Sequence, residues 1–298
     1  MTDSDSSQTL ILLAIFALAS LLHGISGIGV TLVTTTALAS IYPLPQAIVL
    51  VIFPSLLLNA LTWLAGGGRS LWQNFIYYGR RYWLLALMSL LGSLLGAQLL
   101  LWIDSAYILL LLAVVIGYYV ISSLLGKQIR LPNTKPVLIM VGLSAGIIGG
   151  ATNAMSTILL MYLLSATDDK NTIAKVGNMC YFLGKIAQII VLREPIMALS
   201  GDEWQLIALL CIVSVLALLI GIRLRRYLAQ ARFRQLILWI LAILGVRVGW
   251  QGGDGVYLAI MLLLIKAVAN SELFLTKINL LCHPKGIAMR LDHIVDIL

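Results

Sequence analysis

Long apolar segments that are nearly free of charge dominate this chain of 298 residues. Apolar residues make up 61% of the sequence and charged residues 11%, which lies far outside the range of soluble domains. The segments lie near residues 9–23, 28–42, 46–66, 80–101, 105–125, 136–148, 152–165, 173–192, 204–223 and 233–250. Because about 20 apolar residues span a bilayer, and because a helix pairs all its backbone groups internally, the sequence predicts an all-α, polytopic membrane helical bundle.

Two glycine-rich stretches interrupt the apolar pattern at corresponding places in the two halves. The first covers residues 24–29 and precedes Thr31 and Thr34; the second covers 142–150 and precedes Thr152 and Asn153. Interrupted segments at matching positions are typical of a transporter's binding site, and the backbone N–H groups that begin a half-helix bind anions. We therefore expect a broken or re-entrant helical hairpin in each half. Alternatively, Gly24, Gly27 and Gly146 serve only close helix packing.

Basic residues predict the topology, because they favour cytoplasmic loops. They cluster at Arg69, Arg80 and Arg81, at Lys127, Arg130 and Lys135, and at Arg223, Arg225, Arg226, Arg232 and Arg234. An even number of crossings between the last two clusters requires a hairpin over 136–165, and the same reasoning makes 9–42 a hairpin. The second half is then inverted relative to the first.

The predicted units are a first transmembrane repeat at 1–126, a second, inverted repeat at 127–250, and a C-terminal tail of uncertain structure at 251–298. Each repeat holds a hairpin and three further spans.

Catalytic and metal-binding patterns are missing from the predicted spans. Every Asp and Glu falls in a loop or a terminus, and the sequence contains no HExxH motif and no paired membrane carboxylates. We therefore expect no enzyme activity, no metal and no cofactor. The net charge of +8 sits in short clusters beside apolar segments, which indicates contact with lipid headgroups and not with nucleic acid.

Lys185 is the outstanding charge, since it lies near the middle of the 173–192 segment. Asn178, Lys185 and Gln188 share one helical face, and Asn59 lies on a polar stripe of the matching segment 46–66. A polar stripe on an apolar helix faces a cavity or the bundle interior. The alternatives are that Lys185 packs against carbonyls for structural reasons and that the amides simply join helices.

These patterns together give the candidate site. The candidate substrate-binding residues are Gly27, Gly29, Thr31, Thr34, Asn59, Gly146, Gly149, Gly150, Thr152, Asn153, Asn178, Lys185 and Gln188. His23 precedes the first glycine stretch and is a candidate for proton coupling, because the pKa of histidine is easily moved across neutral pH. A structural role for this histidine is the alternative.

The two glycine stretches, each followed by a polar-containing helix, and the closing segment 244–247 resemble the TauE/SafE family of sulfite and organosulfur-anion exporters. The resemblance covers roughly residues 9–250. It implies a secondary transporter, driven by the proton gradient, that exports sulfite, sulfoacetate or a related anion from a bacterial cell. The multi-pass protein would lie in the inner membrane. Gly27, Gly29, Gly146, Gly149 and Gly150 would line the pore.

Two other functions stay open at this point. One is a carrier of a cation or a neutral metabolite, and the other is a non-transporting membrane assembly component. The expected partners are a small anionic substrate and the lipid bilayer, without nucleic acid. The sequence leaves open the substrate, the direction of transport and the oligomeric state.

Overall fold

The computed structural model describes residues 3–27, 29–39, 41–65, 68–104, 107–108, 132, 134–167 and 169–224. The boundary predicted at 126–127, the segment near 233–250 and the tail 251–298 lie outside these residues, as does nearly all of the segment near 105–125. All regular secondary structure in the described ranges is helical, which confirms the predicted class.

The helices of the described part are α1 Asp3–Ser26, α2 Val30–Ala39, α3 Leu44–Leu64, α4 Leu71–Arg81, α5 Trp83–Trp102, α6 Lys135–Thr152, α7 Met155–Ala166, α8 Lys170–Val191, α9 Arg193–Met197 and α10 Gly201–Leu224. Helices α1, α3, α5, α6 and α10 are long and apolar enough to cross a membrane. Helix α8 is also long enough, at 22 residues, but it carries three lysines.

The order of the helices repeats. Helices α1 to α5 run long, short, long, short, long, and α6 to α10 follow the same order. The packing repeats as well, because α1 pairs with α10, α5 pairs with α6, and the two middle helices α3 and α8 pair with each other. Exchanging the two halves leaves this pattern of contacts unchanged, so the described part contains a structural repeat.

The two outer helix pairs, α1 with α10 and α5 with α6, both pack closely at glycines. A Cβ atom built on Gly24 of α1 would lie 2.4 Å from the carbonyl oxygen of Leu218 in α10. A Cβ atom built on Gly146 of α6 would lie 2.4 Å from the carbonyl oxygen of Ser89 in α5. Both positions allow only glycine without movement of the neighbouring backbone. The close-packing alternative for Gly24 and Gly146 is therefore the one that the structure shows.

The two middle helices run in opposite directions. Lys175, near the start of α8, donates hydrogen bonds to the carbonyl oxygens of Trp63 (3.0 Å) and Ala65 (2.7 Å), at the end of α3. Helices α3 and α8 therefore run antiparallel. An inverted repeat requires this arrangement of its equivalent helices.

The two ends of the bundle carry different charged residues. We call the end that carries Arg69, Arg80 and Arg81 the basic end, and the start of α6 and the end of α10 lie on that side. The opposite end, which we call the acidic end, carries the start of α3 and the start of α10, where Gln46 donates to Glu203 at 3.1 Å. By the charge rule the basic end is the predicted cytoplasmic side.

The two breaks differ from the predicted ones in position. Helix α1 continues through Gly24 to Ser26, and the chain then turns at Gly27 (φ 77°) and Gly29 (φ 98°), in the left-handed region that glycine tolerates. In the second half the prediction of a break across 142–150 was wrong. Helix α6 runs through all of its glycines to Thr152, and Gly142, Gly146 and Gly150 pack against α5 without losing the helical hydrogen bonds.

The second break is made by asparagine. Asn153 follows α6 with φ 62°, a left-handed conformation that asparagine adopts more readily than most residues. A Cβ atom on Gly149 would lie 2.4 Å from Cβ of Met155, so α7 begins directly against the last turn of α6. The segment is therefore a tight helical hairpin.

Two apolar clusters occupy the two ends of the bundle. One joins the first half of α3, through Ile48 and Ile52, to Leu192 after α8. The other joins Trp63, at the end of α3, to Val176 near the start of α8. The polar residues of α3 and α8 lie between these clusters, so the fold holds its polar side chains near the middle of the bundle.

Candidate functional site

Lys185 contacts the turn of the second hairpin. Its ammonium donates hydrogen bonds to Oδ1 of Asn153 and to Oε1 of Gln188, the latter at 2.8 Å. The amide of Gln188 donates in turn to the carbonyl oxygen of Gly150 at 2.9 Å and to Oδ1 of Asn153 at 2.8 Å. We call Lys185, Gln188 and Asn153 the Lys185 cluster.

The Lys185 cluster also reaches the first half of the chain. Nδ2 of Asn153 donates to the hydroxyl of Thr35 in α2, at 2.7 Å. Thr35 and the three members of the cluster are each at most 4% exposed. A side chain of one repeat is therefore bonded to the short helix of the other repeat inside the bundle.

The charge of Lys185 has no counter-ion among the described residues. An ammonium has three donors, and only two of them have partners in the described part of the chain. A buried cation without an opposite charge is costly, and within the described ranges no group of His, Cys, Asp and Glu side chains could hold a metal ion. The arrangement suits an anion beside the ammonium.

A second polar group lies where the first hairpin meets α3 and α8. Nε2 of His23 lies 3.1 Å from the hydroxyl of Thr62, and the Asn178 side chain lies next to the His23 ring. Nδ2 of Asn178 donates to the carbonyl oxygen of Gly27 at 2.7 Å, so this residue fixes the turn of the first hairpin. We call His23, Thr62 and Asn178, together with Asn59, which lies three positions before Thr62 on the same face of α3, the His23 cluster.

The polar face of α8 therefore contacts the turns of both hairpins. Asn178 contacts the first hairpin, and Lys185 contacts the second. These two residues are seven positions apart, or about 10 Å along the helix axis. The structure thus divides the predicted site into one cluster at each hairpin turn.

Other predicted site residues form hydrogen bonds within their own helices. The hydroxyl of Thr34 donates to the carbonyl oxygen of Val30, and the hydroxyl of Thr152 donates to the carbonyl oxygen of Ile148. Both threonines are fully buried. Their hydroxyls therefore bond within the hairpin arms, and neither contacts the Lys185 cluster through a hydrogen bond in the described part.

The remaining predicted positions fall into two groups. Gly146 and Gly150 face α5, where a Cβ atom on either would lie 2.4 Å from a backbone oxygen. Gly29 and Thr31 lie at the first turn, where a Cβ atom on Gly29 would meet nothing within 4 Å. Gly149 lies beside Met155 in the second turn. Of these residues, only Gly149 and Gly150 also present carbonyl oxygens to Gln188.

Sequence reasoning missed Lys175 and Thr35. Lys175 is 6% exposed, and its ammonium, held by the carbonyl oxygens at the end of α3, lies 5.9 Å from the centre of the Tyr78 ring. Lys175 lies three residues before Asn178, so extending the polar stripe by one turn would have found it. Nothing in the sequence distinguishes Thr35 from the threonines on either side of it.

A basic surface lies on and beside α4, at the basic end of the bundle. A depression of about 710 Å³ is lined by Arg69, Gln73, Ile76, Tyr77, Arg80 and Arg81. The guanidinium of Arg69 lies 4.0 Å from the centre of the Tyr77 ring, and Arg81 donates to the Tyr77 hydroxyl at 3.2 Å. The predicted site residues do not line this depression.

A family model described as sulfite exporter TauE/SafE matches residues 12–248. No curated protein and no solved structure matches the chain.

Proposed function

The chain belongs to the sulfite exporter TauE/SafE family, a family of membrane transporters, and on that premise we propose that it exports a small sulfur oxyanion across a bacterial inner membrane. Sulfite is the first substrate to test, followed by sulfoacetate and thiosulfate. The protein would act as a secondary transporter without a cofactor, in contact with its substrate and the lipid bilayer.

The observation that carries this proposal is the buried ammonium of Lys185. It is 4% exposed, it has a donor without a partner in the described residues, and its neighbours are amide oxygens with no formal charge. A bound anion would supply the missing opposite charge and a hydrogen-bond acceptor at once. A cation in the same place would be repelled, so this geometry favours anion transport over cation transport.

The inverted repeat supports a transport cycle. In many secondary transporters the substrate site lies at the interface of two inverted repeats, and one unit rocks against the other. Here the Lys185 cluster joins α8, the second hairpin and α2 of the first half. A substrate at Lys185 would therefore contact both halves.

The basic end supports export. Arg69, Arg80 and Arg81 are exposed there, and this end is the predicted cytoplasmic side. A positive surface raises the local concentration of anions and speeds their capture. We propose that these arginines gather the substrate before it enters the bundle.

Proton coupling is part of the proposal. His23 is buried, contacts Thr62 and lies next to Asn178, so it joins the first hairpin turn to both middle helices. A change in the charge of this ring would alter contacts on all three elements. We propose His23 as the residue through which the proton gradient acts.

Flux of labelled anion in proteoliposomes tests the function. We expect saturable uptake of [35S]sulfite by reconstituted protein, stimulated by a pH gradient and inhibited by excess sulfoacetate or thiosulfate. Liposomes without protein give the background. If none of these three anions moves or competes at any imposed pH gradient, the proposed function is wrong.

A further inference from the structure

The His23 cluster contains buried polar atoms that have no hydrogen-bond partner in the described residues. Both amide atoms of Asn59 belong to this set. Asn59 and Asn178 are 0% exposed, and His23 is 1% exposed. Native proteins pair nearly all of their buried polar atoms, with protein, water or ligand. An unpaired donor and an unpaired acceptor in one place therefore point to a ligand.

Helical spacing places Asn59 beside the residues that contact His23. Thr62 lies three residues after Asn59, on the same face of α3, and its hydroxyl is 3.1 Å from Nε2 of His23. Asn178 of α8 lies next to the same histidine ring. The His23 cluster thus brings together the end of α1 and the two antiparallel middle helices.

The repeat relates Asn59 to Lys185. Each lies fifteen residues after the first residue of its helix, Leu44 for α3 and Lys170 for α8. Because these two helices are equivalent and antiparallel, Asn59 lies towards the basic end and Lys185 towards the acidic end. The two clusters therefore occupy related places on opposite sides of the bundle centre.

Their chemistry differs. The Lys185 cluster presents a full positive charge, whereas the His23 cluster presents amide, hydroxyl and imidazole groups. The unpaired set contains both a donor and an acceptor, since Nδ2 of Asn59 donates and Oδ1 of Asn59 accepts. An oxyanion that carries a proton matches this set, because its oxygens accept hydrogen bonds and its hydroxyl donates one.

We propose that the His23 cluster is a second substrate site, which binds the protonated form of the transported oxyanion on the basic-end side of the Lys185 cluster. The proposal rests on the proposed function, since it takes the same substrate class. Nδ2 of Asn59 donates to an oxygen of the substrate, and Oδ1 of Asn59 accepts from its hydroxyl. The substrate would pass between a site without a fixed charge and a site with a fixed positive charge.

The stoichiometry of binding tests this proposal. Equilibrium binding of [35S]sulfite to the purified protein in detergent is expected to reach two equivalents per chain. Asn59→Leu removes both unpaired amide atoms at similar volume and should leave one equivalent. Replacing an unpaired buried amide by an apolar side chain is close to neutral for folding, so the variant should fold. Thr62→Val, which removes only a hydroxyl, should weaken the same equivalent at least tenfold.

Ser214→Ala is the matched control. Its hydroxyl on α10 is also buried and without a partner in the described part, but it lies outside both clusters. This variant should keep two equivalents. One equivalent in the wild type that neither Asn59→Leu nor Thr62→Val affects would overturn the second site and leave the proposed function standing. No binding of sulfite by the wild type, together with no flux, would overturn both.

Discussion

The ammonium of Lys185 is hydrogen-bonded to the side-chain oxygen of Asn153, the residue at which the second hairpin turns. One bond thus links the buried charge of α8 to the backbone break between α6 and α7. A substrate that bonds to the ammonium acts on the group that also holds the hairpin turn. Binding and hairpin position are therefore expected to depend on each other.

Asn153→Gly should keep the backbone turn of the second hairpin but remove the side chain that bonds to Lys185. Glycine adopts φ 62° without strain, so the hairpin should fold, but Lys185, Gln188 and Thr35 each lose a hydrogen bond. We expect sulfite flux to fall at least tenfold while the thermal unfolding temperature falls only a little. Flux and thermal unfolding, measured on the same reconstituted preparation, check this.

Asn153→Ala is the companion variant. It loses the same hydrogen bonds and also places a non-glycine residue with no polar side chain in the left-handed region, which costs about 1 kcal/mol more. It should therefore unfold at a lower temperature than Asn153→Gly. Wild-type flux in Asn153→Gly would show that the side chain has no part in transport.

Gly146→Ala should weaken the packing of α6 on α5. The new methyl group would lie 2.4 Å from the carbonyl oxygen of Ser89, a contact that backbone must move to relieve. Overpacking of this kind costs about 1–3 kcal/mol. Thermal unfolding in detergent should show a clear decrease. Gly201→Ala, with nothing within 4 Å of the new methyl group, is the control and should show none.

Asp169 should stabilise the start of α8 in a pH-dependent way. Its carboxylate accepts hydrogen bonds from the backbone N–H groups of Asn171 and Thr172, and Thr172 also donates its hydroxyl. The hydroxyl of Thr172 is the main cause that lowers the pKa of Asp169 below its ordinary value of 3.8. Because a lowered pKa favours the charged form in the folded state, this stabilisation is complete above about pH 5 and is lost as the pH falls through the lowered pKa.

Asp169→Ala should lower the stability by about 1 kcal/mol at neutral pH. The difference from wild type should disappear as the pH falls through the lowered pKa, below 3.8. Thermal unfolding of both proteins between pH 7 and pH 3 measures this. A difference that stays constant over this range would contradict the role of the carboxylate.

Arg80→Gln with Arg81→Gln should weaken substrate capture at the basic end. We expect the KM for sulfite, presented on that side, to rise about threefold or more at low ionic strength, since the positive field attracts the anion. Near 1 M salt the effect should vanish, because screening then acts within about 3 Å. Arg193→Gln, at the acidic end, is the control. An increase in KM that is equal at low and high salt would contradict the electrostatic explanation.

Hydrophobic length was enough to predict the class of the fold, and loop charge predicted the opposite directions in which α3 and α8 run. These features are fixed by hydrophobic length and by the preference of basic residues for one side, both of which the sequence displays directly. The position of the second break was not predictable in this way. Gly142 and Gly146 break a helix or pack it closely, and only the presence of α5 beside them decides between the two.

The candidate site residues of α8 were predicted to lie on one face, and the structure divides them between two clusters. Helical spacing correctly placed Asn178, Lys185 and Gln188 on one side of α8, but spacing does not show which hairpin each residue meets. Lys175 lies on the extension of that stripe, and its bonds to the end of α3 depend on the antiparallel packing of the two repeats. Contacts of this kind, between distant parts of the chain, are found only from the structure.

The most direct measurement compares Lys185→Met with Lys175→Met in proteoliposomes loaded for [35S]sulfite flux. Methionine matches the length of lysine, and replacing a buried cation that lacks a counter-ion by an apolar side chain should leave stability unchanged or higher. We predict that Lys185→Met folds but loses at least 99% of the flux, whereas Lys175→Met, whose ammonium is bonded to backbone carbonyls, keeps most of the flux per folded molecule. Wild-type flux in folded Lys185→Met would contradict the central role of this charge.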